Sequence, residues 1–177
     1  MMSLHRVWRV GANIDTDALA PGAYMKLGID QIARHCLENR YPDLAGSLRP
    51  GDVLVAGENF GIGSSREQAV GVLVQLEVKA VIAPSFSGLY FRNAYNLGLL
   101  AIVCEDAGRI PEGAQVGIDA AHARIRVWAA DVADDGSALP PPLLELPCQK
   151  IPDFLIERAL SGGLMRQLER QYLQSDT

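Results

Sequence analysis

Residues 57–68 read Gly57-Glu58-Asn59-Phe60-Gly61-Ile62-Gly63-Ser64-Ser65-Arg66-Glu67-Gln68. Directly before them stands Asp52-Val53-Leu54-Val55-Ala56, a short apolar, β-branched run that reads as a buried strand. Directly after them stands Ala69-Val70-Gly71-Val72-Leu73-Val74-Gln75-Leu76, apolar nearly throughout, which reads as a helix packed under a sheet. The quoted stretch therefore joins the carboxyl end of a strand to the amino end of a helix. Its glycines Gly57, Gly61 and Gly63 let the backbone turn sharply and come close to a bound group. The free N–H groups of a first helical turn, with Arg66 beside them, make an anion site, most naturally for a carboxylate. A plainer reading is a capping box, with Ser64 and Glu67 or Ser65 and Gln68 satisfying the helix amides reciprocally. Capping explains one serine and one acid and leaves the second serine, the arginine and the glycines unexplained. No Lys follows the glycines as in a P-loop, and the third glycine of a dinucleotide fingerprint is missing. On spacing alone, the anion site and plain capping stand level.

Further runs fit around this loop. Arg6-Val7-Trp8-Arg9-Val10 alternates as a strand does, and residues 11–28 follow as a long loop broken by glycine and proline. A loop of that length in a compact domain is functional or mobile. Asp15, Thr16 and Asp17 within it suit local turns that satisfy backbone amides. Residues 30–39 read as a helix with Asp30 in its first turn and Ile32, Ala33, Cys36 and Leu37 on one face. Ala80-Val81-Ile82-Ala83 and Leu99-Leu100-Ala101-Ile102-Val103 are two more buried runs. Between them a helix over residues 86–97 is expected, capped by Ser85 and ended by Gly98. Strand, helix, strand, helix, strand at this spacing argues for parallel βαβ units with right-handed crossovers. Arg92, Asn93 and Asn96 give that second helix a polar stripe, expected to bond nearby loops and carbonyls.

From Gly108 the character changes. Residues 116–119 and 124–128 alternate apolar and polar, as antiparallel strands with one wet face do, and residues 143–146 read as a further strand. Asp134-Asp135-Gly136 marks a turn, and Pro140-Pro141-Pro142 is expected to stiffen an edge. Pro152 starts a helix through Leu160 that Gly162-Gly163 interrupts. Leu164, Leu168 and Tyr172 then recur at i, i+4, i+8, an amphipathic tail suited to packing on a partner.

The 177 residues fit one α/β domain, and apolar residues at 49% with charged ones at 21% are those of an ordinary globule. A net charge of −5 without a basic cluster argues against nucleic acid. No run approaches the roughly 18 apolar residues of a membrane span. The first eight residues hold no signal-peptide core, so a cytoplasmic protein is expected. Cys36, Cys104 and Cys148 are scattered and odd in number, and are read as buried reduced thiols. His5, His35 and His122 match no ligand spacing, so no metal is expected on this chain.

Gly57 to Gln68, together with Asn13-Ile14-Asp15-Thr16-Asp17 upstream, resembles the aconitase superfamily's swivelling domain, and the chain length resembles its free-standing form, the small subunit of 3-isopropylmalate dehydratases. The likeness runs from Gly11 to about Val103, with a weaker echo at Ser161-Gly162-Gly163-Leu164. It implies a three-layer β/β/α swivelling domain with a mixed sheet over residues 1–177, ending in a helical tail at about 152–173. It implies a hydro-lyase that removes water from a 2-hydroxy di- or tricarboxylic acid and re-adds it at the neighbouring carbon, in leucine synthesis.

Residue by residue, the resemblance makes Ser64 the base and Arg66 the clamp on a substrate carboxylate. Ser65 and the amide of Gly63 shape the loop, with Lys26 a second carboxylate contact in the variable run Tyr24-Met25-Lys26-Leu27. Asp15, Thr16, Asp17, Gly61, Glu67 and Gln68 support it. Serine is a poor base at its ordinary pKa, so its alkoxide needs stabilising donors, and the helix amides are expected to act as an oxyanion hole does. The leaving hydroxyl needs a Lewis acid, by resemblance a [4Fe–4S] cluster on the larger subunit, without which this chain is expected to be inactive. Many members carry His where Gln68 stands, and a supporting hydrogen bond to the serine loop is expected from it. Isopropylmalate, homoaconitate, citraconate and dimethylmalate types all fit as substrate. The competing class is a non-catalytic carboxylate-binding module on the same scaffold.

Overall fold

The computed structural model describes residues 2–175; Met1 and the last two residues of the expected 1–177 domain lie outside them. In chain order the elements are β1 (His5–Arg9), α1 (Thr16–Leu19), α2 (Ile29–Ala33), α3 (Leu44–Ser47), β2 (Val53–Val55), α4 (Gln68–Gln75), β3 (Ala80–Ala83), α5 (Gly88–Leu97), β4 (Leu100–Val103), β5 (Gln115–Asp119), β6 (Arg124–Trp128), β7 (Leu144–Pro147), α6 (Asp153–Leu160) and α7 (Leu164–Ser175). The strands lie in the order β4-β3-β2-β1-β5-β6-β7. β1, β2, β3 and β4 are parallel; β5, β6 and β7 are antiparallel. This is the expected α/β class with a mixed sheet and βαβ units.

β1 serves both halves. His5 and Arg6 pair with Val116 and Gln115 of β5, while Val7, Trp8 and Arg9 pair with Val53, Leu54 and Val55 of β2. On the parallel side every residue of β2 and β3 is buried, so both faces of those strands are covered. On the antiparallel side burial alternates, with Ile125 and Val127 inside and Arg124 exposed. β7 is an edge strand, and the proline run ahead of it accepts the Trp128 indole N–H at the Pro140 carbonyl, 2.8 Å.

Several local expectations are corrected. The helix expected over residues 30–39 ends at Ala33 and continues as turns. Leu37 there adopts φ 60° and sends its N–H to the Ala18 carbonyl, 2.8 Å, so a tertiary bond replaces a helical one. Its apolar face still turns inward, for Ile32, Ala33, Cys36 and Leu37 are all buried. In the loop over residues 11–28 Asp15 does satisfy a local amide, accepting the Ala18 N–H at 2.7 Å, and that bond starts the single turn of α1 where only loop was expected. Ser85 caps nothing. α5 begins after Ser87, and the Ser85 hydroxyl instead accepts the Asn59 N–H at 2.9 Å. Gly98 ends α5 in the left-handed region, as expected.

Asn93 bonds the Ser65 carbonyl and Asn96 accepts from Arg158, so the polar stripe of α5 does tie down neighbouring segments. Gly162 and Gly163, at φ 87° and 107°, turn the chain between α6 and α7 against the end of α5. α7 buries none of its residues, and Leu168, Tyr172 and Leu173 stand exposed along it. Far from the loops, Asp52 is buried and takes hydrogen bonds from Arg6, the Trp8 indole and the Arg49 amide. Among the described residues no helix is long and apolar enough to cross a membrane.

Candidate active site

Three loops leave the carboxyl ends of β1, β2 and β3 and meet at one edge of the sheet, where open α/β sheets bind ligands. Backbone bonds stitch them together. The Asn13 N–H reaches the Glu58 carbonyl, Gly61 reaches Ile14, and Thr16 reaches Ile62, at 2.7–2.8 Å. Phe60 bonds Ser85, and Ser87 bonds Phe60, on the other side. Asn13 and Asn59 both sit at φ near 60°, a conformation asparagine tolerates, and the Asn59 amide donates to the Asn13 side-chain oxygen at 2.9 Å. Gly61, at φ 81°, lies so close to the Tyr90 ring that any side chain would overlap it. Tyr90 in turn donates to the Ala69 carbonyl, tying α5 to α4 beneath the loop.

Ser64 projects from this platform into solvent. Its N–H donates to Thr16 Oγ1 at 3.0 Å, and its own Oγ lies 3.3 Å from the same oxygen. Arg66 Nε donates to Ser64 Oγ at 2.8 Å. Arg66 Nη1 donates to the Ala20 carbonyl at 2.9 Å and to Asp17 Oδ1 at 3.4 Å, while Asp17 also accepts the Gly22 N–H at 2.9 Å. Arg66 Nη2 has no partner among the described residues. The guanidinium is thus oriented on one edge and open on the other, as a fork for a planar anion must be.

The capping box is not formed. α4 starts at Gln68 with Glu67 at the N-cap, and no side chain caps it. Ser64 lies ahead of that N-cap, and its Oγ accepts from Arg66 Nε instead of a helix amide. No helix amide bonds Ser64 Oγ; Arg66 Nε donates to it at 2.8 Å and Thr16 Oγ1 lies 3.3 Å from it. Gln68 makes no hydrogen bond to the serine loop. It lines a shallow cavity with Ile29, Glu67, Gly71 and Leu97, and Asn93 holds the loop in its stead at the Ser65 carbonyl, 3.2 Å. Lys26 is exposed with no ion pair or hydrogen bond among the described residues.

The run carrying Lys26 is anchored by contacts the sequence did not foretell. The Tyr24 ring stacks on His35 with centroids 3.7 Å apart, and His35 bonds Glu38 at 2.7 Å. The His35 hydrogen bond holds the Glu38 carboxyl below its ordinary range, and Glu38 pushes the Tyr24 phenol up. Nothing in the spacing of Tyr24, His35 and Glu38 announces this; Asn93 had the unusual polarity of its helix face as a signal.

Among the described residues no three His, Cys, Asp or Glu are grouped to hold a metal ion. Burial pushes the Cys36 thiol up to about 12 and the Cys104 thiol up to about 11, which suits protonated thiols and not the thiolates a cluster requires.

The family model described as "Aconitase C-terminal domain" matches residues 31–107, from α2 to just past β4. The chain is 37% identical over 166 residues to the 3-isopropylmalate dehydratase small subunit of Halothermothrix orenii, covering 93% of each. It is 46% identical over 123 residues to the methanogen homoaconitase small subunit of Methanothermobacter thermautotrophicus, covering 68% of this chain and 71% of that one. The crystal structure of a 3-isopropylmalate dehydratase from Methanocaldococcus jannaschii superposes with a TM-score of 0.82 at 33% identity, over 99% of this chain and 98% of that one.

Proposed function

This chain belongs to the family of 3-isopropylmalate dehydratase small subunits, and from that premise we propose that it is the base-bearing half of such a hydro-lyase, acting in leucine synthesis in the cytoplasm. The observation that carries the reading is the Arg66 Nε to Ser64 Oγ bond at 2.8 Å, with the free edge of the guanidinium facing out beside it.

Ser64 Oγ, as alkoxide, takes the proton from the carbon next to a substrate carboxylate. The electrons of that C–H bond form the new double bond as the C–O bond of the neighbouring carbon breaks. Water then re-adds at the other carbon, and Ser64 returns the proton. Arg66 holds the carboxylate through its open edge and keeps the reacting carbon over the serine. Gly63 and Ser65 shape the turn, and Asp15, Thr16, Asp17 and Gly61 fix it to the β1 loop. Glu67 and Gln68 lead into α4. A [4Fe–4S] cluster does not fit this chain's own described residues; held by the large subunit, to which we assign it, it would supply Lewis acidity for the leaving hydroxyl. The whole of residues 1–177 then acts as one swivelling domain, its helical tail at about 152–173 included.

A second substrate reading has its own support. Lys26, in the run after Tyr24, is a cation without an ion pair among the described residues, and the homoaconitase small subunit is the more identical of the two relatives over its matched span. A substrate bearing a further carboxylate would meet Lys26.

The test is reconstitution with a cluster-bearing large subunit under anaerobic conditions, followed by turnover of isopropylmalate and homoaconitate-type acids. Turnover is expected with the native chain and a loss of more than about 10³-fold with Ser64→Ala. An unchanged Ser64→Ala complex would return the loop to a carboxylate-binding role.

A further inference from the structure

We propose that the Thr16 hydroxyl is a hydrogen-bond donor to the Ser64 oxygen and, with Arg66 Nε, forms the pair that stabilises its alkoxide. This rests on the reading of Ser64 as the base and adds a donor to it.

Thr16 is 3% exposed, one of two buried polar residues among those described. Its backbone is fully used, with N–H bonded to Ile62 and C=O accepting from Ala20. Its hydroxyl oxygen accepts the Ser64 N–H at 3.0 Å. A hydroxyl carries one proton and two acceptor positions, and a buried one must place that proton on an acceptor. Ser64 Oγ, at 3.3 Å, is the acceptor within reach among the described residues. Were Ser64 the donor instead, the Thr16 proton would be buried with no partner. The direction is therefore Thr16 O–H to Ser64 Oγ.

Ser64 Oγ then receives two donors, a neutral hydroxyl from the buried side and the cationic Arg66 Nε at 2.8 Å. Both acceptor positions of the neutral serine are filled from the protein side, so its own proton points outward. The outward direction is the exposed one, where a substrate carbon must lie. When that proton is gone, both donors already aim at the oxyanion, without reorganisation. Hydrogen bonds to the charged form favour that form. The loop arrangement makes the contact obligatory: Thr16 N–H and Ser64 N–H run in opposite directions between the same two strands of chain, pinning the two hydroxyls together. Gly63, at φ 111°, permits this approach, since a side chain there would press on Thr16 Oγ1.

The experiment compares Thr16→Ser, Thr16→Ala and Ser64→Ala in the reconstituted two-subunit enzyme. Ser and Ala both lose the methyl group, so their difference isolates the hydroxyl even if the methyl loss loosens the loop. Thr16→Ser is expected within about fivefold of native kcat, and Thr16→Ala roughly 10²-fold lower with KM little changed. The exchange of the substrate's α-hydrogen with D2O is expected to need higher pH in Thr16→Ala, because a base with one donor fewer holds its proton more tightly. Equal losses in Ser and Ala, a loss confined to KM, or an unmoved pH dependence of exchange would overturn the proposal. Loss of turnover in Ser64→Ala beside native turnover in Thr16→Ala would overturn this proposal alone. Native turnover in Ser64→Ala would overturn the base reading beneath it.

Discussion

Arg66→Lys separates the two tasks assigned to the guanidinium. Arginine bonds Ser64 through Nε and the Ala20 carbonyl through Nη1 at the same time, 2.8 and 2.9 Å away, because its donors lie in one rigid plane. An ammonium group is a single point and cannot meet the serine, the Ala20 carbonyl and a bidentate carboxylate together. The Arg66 side chain is 27% exposed, so its bonds are partly shielded from water. A hydrogen bond involving a charged group is worth about 1.5–3 kcal/mol. If that bond is strongest when Ser64 is an alkoxide, its loss lowers kcat by roughly 10- to 100-fold. Losing one of two bonds to a substrate carboxylate costs about 1 kcal/mol more, or roughly fivefold in KM. With the lysine ammonium on the Ala20 carbonyl, the fold loses chiefly the Asp17 contact, which is 3.4 Å long and open to solvent, worth about 1 kcal/mol or less. For a chain of this size that moves Tm by no more than about 4 °C. Steady-state kinetics of the reconstituted enzyme, with a thermal melt of the same subunit by circular dichroism, measure all three quantities. A variant with native kcat and KM would refute the roles given to Nε and to the open edge. A melt lowered by about 10 °C or more would show instead that Arg66 is chiefly a structural strut.

Two further outcomes test the platform and the far end of the sheet. Gly61→Ala combines a left-handed φ of 81° with overlap onto the buried Tyr90 ring, and is expected to cost about 2–5 kcal/mol, read as a Tm fall of roughly 5–15 °C; a melt unchanged within about 2 °C would contradict the packing described. Burial lowers the His5 pKa below its ordinary 6.5, so the unfolded chain takes up the proton first; stability is fully present above about 6.5 and declines as pH falls below it. His5→Gln is expected to flatten the stability profile below about pH 6.5, measured by urea melts, and an unaltered slope there would remove His5 as its cause.

Much of this protein is legible in one dimension. Consecutive buried residues at Val53–Val55, Ala80–Ala83 and Leu100–Ile102 mark parallel strands because covered strands tolerate no polar face, and the alternation in Arg124–Trp128 marks the antiparallel half for the opposite reason. Gly98 and the Gly162–Gly163 pair end helices where left-handed backbone is needed, which glycine alone adopts freely. The same local logic located the serine–arginine loop between a strand and a helix.

What local logic could not supply is which atoms meet across the loops. Ser64 and Ser85 both have the chemistry of helix caps, and neither caps, since tertiary partners at Thr16 and Asn59 offered bonds that a first helical turn did not. Leu37 leaves its helix for the Ala18 carbonyl for the same reason. Gln68 stands beside the loop in sequence and makes no bond to it, whereas Asn93, 28 positions from Ser65, does. Thr16 and Ser64 are 48 residues apart and come together only because β1 and β2 are neighbours in the sheet. The sequence by itself determined the strands, the two helices between the parallel strands and the place of the serine–arginine loop, because burial and backbone freedom act over a few residues. Only the tertiary structure decided how Ser64 is held, because a hydrogen bond joins whatever the sheet order brings within about 3 Å.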